Sequence, residues 1–446
     1  MNMNNYSILE RLSFHNPWWE NGSVPEHLLH KFKRGIVLTL LSYLNNERAI
    51  LLKGPRRVGK TTVFYQLIDI LLQKKVKPKD ICYISFDDPI LRIPLDEIIK
   101  VYEKFRGERL TKGKIYFFLD EAQFLKDWEL TVKLYLDRRY PIKFFVSGSS
   151  VSLLTQRVES LAGRTIEETL FPFSFKEFLS FFAPSINIDT HLKQKKFPPE
   201  HFPTSLIPLI DEIKIQFTNF LRIGGFPHIY KEDENLFPKF IKEDILDKVI
   251  FRDLVSLYKI REPSYLEKLF YYLGRNTASL INLTTLSQSL GISRTVIERY
   301  ISYLERSLLY FRLPKFSKSL KETLRSNPKG YLIDTGLCNF FGVKNDQILE
   351  TTISAFLFSS LFCKGKKNIY FWRDQFHEVD VVIEEKELIP IEVKNSEKKE
   401  VPKSIVYFME KQKLQKGFII YQGEFSKINI GRKQIIFCPV WYFLLF

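Results

Sequence analysis

Cysteine is scarce in this sequence. The four present, Cys82, Cys338, Cys363 and Cys438, lie far apart with no CxxC pair. That spacing excludes a zinc ribbon and a disulfide framework, and it fits a reducing cytoplasm. Long apolar runs are also lacking. The longest, IVLTLLSYL from Ile36, is too short to cross a bilayer, and the opening MNMNNYSILERL has no basic region followed by an apolar stretch. A soluble, internal protein with no membrane partner is expected. Internal repeats and long low-complexity tracts are missing too, which argues against a solenoid and against large-scale disorder.

What is present is globular in character, with 45% hydrophobic and 26% charged residues. A chain of 446 residues is too long for one ordinary core, so two to four domains are expected. Acidic residues fall short of basic ones, 51 against 67, leaving a net charge of +16. Such a field attracts polyanions, and nucleic acid is the most abundant of them. A solvated Lys-rich surface is the plainer explanation, although basic clusters such as KQKK at Lys193 to Lys196 are local rather than spread along one helix face.

From Ile36 to Ser150 apolar segments alternate with helical patterns, as in a parallel α/β sheet covered by helices. Four strands stand out: AILLKG at Ala49, ICYISFDD at Ile81, IYFFLDE at Ile115 and IKFFVSGSS at Ile142. The first leads into Gly54, Pro55, Arg56, Arg57, Val58, Gly59, Lys60, Thr61 and Thr62, which match G-x-x-x-x-G-K-[ST] between a strand and a helix. Glycines let successive N–H groups turn inward around phosphates, and the helix N-terminus adds its positive end. Lys60 would then reach the β- and γ-phosphates of a nucleoside triphosphate while the Thr61 hydroxyl ligates Mg2+. An acid at the tip of a neighbouring strand is needed to hold that metal. IYFFLDE offers Asp120, followed by Glu121 to position or deprotonate the attacking water. Ser147 or Ser149 at the next strand end would sense the γ-phosphate, or simply form a polar turn. Arg164 would neutralise transition-state charge in its own subunit or across an oligomer interface, unless it makes a structural ion pair.

After Pro172 the pattern is mostly helical, interrupted by the Pro-rich FPPEHFPTSLIP from Phe197. From Ser279 to Leu313 it reads helix, turn, helix, strand, with Thr284 and Ser293 as caps and Gly291 in the turn. Ile297, Ile301 and Leu304 form one apolar stripe, leaving Arg294, Arg299 and Arg306 on other faces. A helix of that kind lies in the major groove of DNA, or serves only as a packing module. Near the end, YFWRDQFHEVDVVIEEKELIPIEVKNS reads as two strands joined near Lys386, which sets Asp380 opposite Glu392 with Lys394 two residues further along the same face. Opposed carboxylates call for a cation, so a second Mg2+ or Mn2+ is expected there, with Glu350 at the start of ETTISAFLFSSLF as a third ligand and Lys394 stabilising an attacked phosphate. An exposed hairpin whose acids pair with Lys394 and Arg373 is the alternative.

Together these pieces resemble the prokaryotic AAA-like ATPases that join a P-loop domain and a winged helix to a C-terminal domain related to the PD-(D/E)xK nucleases. Besides the phosphate loop and LDE, the resemblance rests on GSS at Gly148, LAGR and FPFSFKEF from Leu161, GGFP at Gly224, KGYLIDTGL at Lys329, and EVD with IEVK. It implies a multidomain α/β protein: an N-terminal segment (1–35), an ATPase core (36–170), a helical lid with a Pro-rich insertion (171–275), a winged helix (276–335) and a nuclease-like domain (336–446). It also implies ATP hydrolysis, and an acidic motif on Asp380, Glu392 and Lys394. Two functions follow as expectations: a DNA-interacting ATPase with a metal-dependent endonuclease-like domain, or a signalling or scaffold ATPase whose nuclease fold is inactive. Oligomeric state is left open.

Overall fold

Strands β1 (Ala49–Gly54), β2 (Ile81–Ser85), β3 (Ile115–Asp120) and β4 (Ile142–Ser149) fall on the four apolar runs, and β1, β3 and β4 are buried along their whole length. Burial on both faces is why they read as continuous apolar runs rather than alternating ones. A fifth strand, β5 (Thr165–Thr169), completes an all-parallel sheet in the order β2-β3-β4-β1-β5. The acid-bearing β3 is therefore not adjacent to β1, as the sequence reading placed it; β4 lies between them. The computed structural model describes residues 3–149, 161–192, 197–366 and 368–446, so Ser150 and the KQKK run lie outside the described residues.

The sheet belongs to the first of two compact units, Met1–Leu170; the second is Phe171–Phe446. Stacked rings fill the first core, with Phe118 over Phe145 at 4.8 Å and Phe64 edge-on to Phe118 at 5.3 Å. The residues before 35 close the open edge at β2. The Asn16 side chain donates to Tyr83 O at 2.7 Å and accepts from Tyr83 N–H at 2.6 Å, doing what a further strand would do.

In the second unit, helices Phe175–Phe182, Ile210–Ile223 and Pro263–Arg275 precede a three-stranded sheet, β6-β8-β7, made of Ser279–Leu280, Lys329–Leu332 and Tyr310–Leu313. Helices Leu283–Leu290 and Arg294–Arg306 sit between β6 and β7, with Gly291 left-handed in the turn and Ser293 capping the second. The first is capped by Asn282 instead of Thr284; its side chain accepts from the N–H groups of Thr284 and Thr285. Ile297, Ile301 and Leu304 are buried, while Arg294, Arg299 and Arg306 are exposed.

A six-stranded sheet follows, in the order β13-β14-β12-β11-β10-β9. YFWR forms its own strand β9 (Ile369–Arg373), so the expected long first strand is two. Asp374 breaks it, accepting from the N–H groups of Phe376 and His377. β10 (Glu378–Glu384) and β11 (Leu388–Lys394) pair antiparallel about Lys386, and continuing the Val381↔Ile391 register by one residue sets Asp380 against Glu392. β12, β13 and β14 are Lys416–Tyr421, Ser426–Ile430 and Lys433–Pro439. The Pro-rich stretch straps onto the chain's C-terminal end: Phe202 packs against Tyr442 at 5.0 Å, and Tyr442 Oη donates to His201 O at 2.6 Å.

Candidate nucleotide site and carboxylate cluster

The phosphate loop spans the gap between β1 and helix Lys60–Gln73, with left-handed Gly59 (φ 95°) at the turn into the helix. Gly54 is required for space, because a Cβ there would meet Leu170 O at 2.3 Å. Pro55 and Val58 are buried, Arg56 is half-buried and Arg57 exposed. Lys60 is 5% exposed and folds back, its Nζ donating to Gly54 O at 3.0 Å and Pro55 O at 2.9 Å. Thr62 follows in the first helical turn.

Asp120 reaches this loop across the intervening strand. Thr61 Oγ1 donates to its Oδ2 at 2.7 Å, Tyr83 Oη to the same oxygen at 2.8 Å, and Ser147 Oγ to Oδ1. Burial, then the charge of Glu121, pushes the Asp120 carboxyl up; the three hydroxyl donors oppose that. Glu121 has a left-handed backbone, φ 53°, and Gln123 Nε2 donates to its Oε2. Gln123 Oε1 in turn accepts from Ser149 N–H at 3.4 Å, tying the acid to the tip of β4. Arg164 is not part of this set. Ala49 N–H donates to Arg164 O at 2.9 Å, so Arg164 stands beside the start of β1, about 16 Å along the strand from Gly54. Its guanidinium pairs with Asp137, Nε to Oδ1 at 2.5 Å. That is the structural ion pair the sequence offered as the alternative, and it holds the guanidinium away from the nucleotide of its own chain.

The carboxylates of the second unit also come together, but around lysines. Lys329 Nζ donates to Glu350 Oε1 at 2.9 Å, pairs with Glu378 and lies 3.9 Å from Asp380 Oδ1. Tyr331 Oη donates to Glu350 Oε1 at 2.8 Å, and Val393 N–H to Asp380 Oδ2 at 2.8 Å. Lys394 pairs with Glu392 at 2.7 Å and Arg373 with Glu378 at 3.5 Å. Burial, then the Asp380 charge, raises the pKa of both Glu350 and Glu392. Burial works against the charge on Lys329, yet Glu350, Asp380 and Glu378 hold its pKa above the ordinary lysine value. Among the described residues no group of three or more His, Cys, Asp or Glu side chains is arranged to hold a metal ion. Glu350 and Asp380, expected as metal ligands, lie against the Lys329 ammonium here, and Glu392 against that of Lys394. Glu350 is also inside its helix rather than at its start, since that helix runs Asn345–Cys363.

A family profile describing an AAA domain matches residues 46–179, a domain of unknown function (DUF8612) matches 214–347, and another (DUF4143) matches 345–443. An uncharacterized protein of Methanocaldococcus jannaschii is 30% identical over 408 residues, covering 87% of this chain and 86% of its own. The chain belongs to the family of that archaeal protein and carries an AAA-family ATPase domain. A second uncharacterized protein of that organism is 25% identical over 424 residues, 90% of this chain and 86% of its own. The Aeropyrum pernix Orc1 protein, solved in complex with DNA, matches at TM-score 0.30 and 14% identity over 69% of this chain and 91% of that one, too weak a likeness to carry an argument.

The sequence reading of the AAA domain missed Tyr83 and Gln123. Tyr83 lies inside an apolar strand where nothing marks it as polar machinery; Gln123, two residues past Glu121, carries only its proximity as a signal. In the second unit it missed the role of Lys329 and Glu378, because Lys329 lies 51 residues before Asp380 in sequence.

Proposed function

We propose that this chain is an ATP-hydrolysing switch whose C-terminal unit engages DNA without cutting it. The observation that carries the ATPase reading is the Thr61 hydroxyl on the Asp120 carboxylate, where the phosphate loop runs into its helix. A hydroxyl and a carboxylate are hard oxygen donors, so the pair fits Mg2+. Thr61 and Asp120 would hold the ion, which would supply positive charge to offset that developing on the phosphates. Lys60 releases the carbonyls of Gly54 and Pro55 to contact phosphate, and Glu121, steadied by Gln123, orients the water and takes its proton. Ser147, through Asp120, or Ser149, through Gln123, would report loss of the terminal phosphate.

DNA engagement draws support from the +16 charge and from exposed Arg294 and Arg299 on the second helix of a winged-helix-like arrangement. Among the described residues no helix is long and apolar enough to cross a membrane, and all four cysteines are free; both suit the cytoplasmic setting we propose. The test is ATP turnover with and without duplex DNA over a range of salt. Stimulation that fades with salt is expected; turnover indifferent to DNA would favour the scaffold reading.

Cleavage by the nuclease-like region is the second reading, since Lys329 engages Glu350 and Asp380, carboxylates it requires. Magnesium-dependent nicking by wild type that Asp380→Ala abolishes would reinstate it.

A further inference from the structure

Lys329 is the first residue of the central strand β8, and its backbone is paired on both sides, opposite Leu280 in β6 and Leu313 in β7. It is 3% exposed. Its ammonium therefore has a fixed origin and no route to solvent by simple rotation. From that position it meets Glu350 on helix Asn345–Cys363 and both Glu378 and Asp380 on β10, while the Phe371 ring lies 5.7 Å away. Glu350 Oε1 is occupied twice, by Lys329 and by Tyr331. A divalent cation held by Glu350 and Asp380 would have to share their oxygens with an ammonium that cannot withdraw, and like charges in a buried site repel strongly.

We propose that Lys329 is the resident cation of this carboxylate cluster, standing in place of a divalent metal and locking the three-stranded sheet onto the six-stranded one. While Lys394 faces Glu392, the Lys329 ammonium supplies the positive charge that Glu350, Glu378 and Asp380 require. It does so permanently, because it is covalently part of the chain. The cluster is then a charged joint instead of a phosphate-activating centre, whether or not the ATPase reading holds.

The test is Mn2+ titration of the nucleotide-free full chain, with free Mn2+ read by electron paramagnetic resonance. All variants carry Thr61→Ala so that the phosphate loop contributes nothing. With Lys329 intact, no Mn2+ site that Asp380→Asn removes is expected. Lys329→Met should gain one, tightening Mn2+ binding by about a hundredfold or more, and adding Asp380→Asn should abolish the gain. Lys329→Met should also melt at a lower temperature, and Mn2+ should restore it while leaving the lysine-bearing chain unmoved. A Mn2+ site in the lysine-bearing chain that Asp380→Asn removes would overturn the proposal, and that comparison stands even where Lys329→Met fails to fold. Unchanged melting of Lys329→Met would overturn the lock.

Discussion

Glu121 takes a left-handed backbone at the tip of β3, and Gln123 holds its carboxylate against the neighbouring β4 tip. A general base positioned in this way contributes about 10²–10⁴-fold to turnover. Glu121→Gln should lower kcat for ATP by that factor with binding retained, checked by single-turnover hydrolysis beside equilibrium binding. Gln123→Ala should lower kcat while leaving KM for ATP unmoved, because it touches the base and not the phosphate loop. Lys60→Ala should weaken ATP binding by about a hundredfold, the loss of one charge-assisted contact set, measured by fluorescence titration.

Between elements, Asp334 joins two phrases that lie far apart in sequence. Its Oδ2 accepts from Gly225 N–H at 2.6 Å and its Oδ1 from Gly336 N–H at 2.9 Å. GGFP and IDTGL are thus the two halves of one contact. A Cβ on Gly224 would strike Asp334 Oδ1 at 2.3 Å, which accounts for the glycine there. Burial pushes the Asp334 carboxyl up to about 6 from the ordinary 3.8, against the backbone donors that favour its charge. A raised native pKa means that the folded state holds a proton the unfolded chain has released. Its contribution is full below about pH 4 and is lost as pH rises through about 6, on the order of 3 kcal/mol. Asp334→Asn should flatten that part of the pH dependence in urea unfolding, and lower stability overall by turning an amide N–H toward a backbone donor. The helix cap offers a second check. Asn282→Ala should cost about 1 kcal/mol, whereas Thr284→Ala should cost little, since Thr284 donates its backbone N–H to the cap and supplies none of its own.

Across the whole molecule, the charge surplus and the exposed arginines make a prediction about salt. If Arg294 and Arg299 touch phosphates, replacing either by alanine should reduce the slope of log affinity for DNA against log salt by about 1. Unchanged slopes would assign that helix a packing role. The alternatives differ because phosphate contact releases counterions and packing does not.

Local chemistry was legible in the sequence: Gly54 to Thr62 form a phosphate loop through contiguous backbone, and the four apolar runs at Ala49, Ile81, Ile115 and Ile142 became buried strands because their own residues must avoid water. The Asp380–Glu392 opposition was equally readable, since a hairpin's register is set by its turn. Other features needed the folded chain. β5, with the polar sequence TIEET, is a strand only because β1 supplies its partners. That β4 intervenes between the loop and its acid depends on crossover connections, which leave no mark on neighbouring residues. Most of all, Lys329 met Glu350, Glu378 and Asp380 by long-range packing. The sequence could announce acids in need of a cation; only tertiary structure, by bringing a distant strand alongside them, decided that the cation was a lysine.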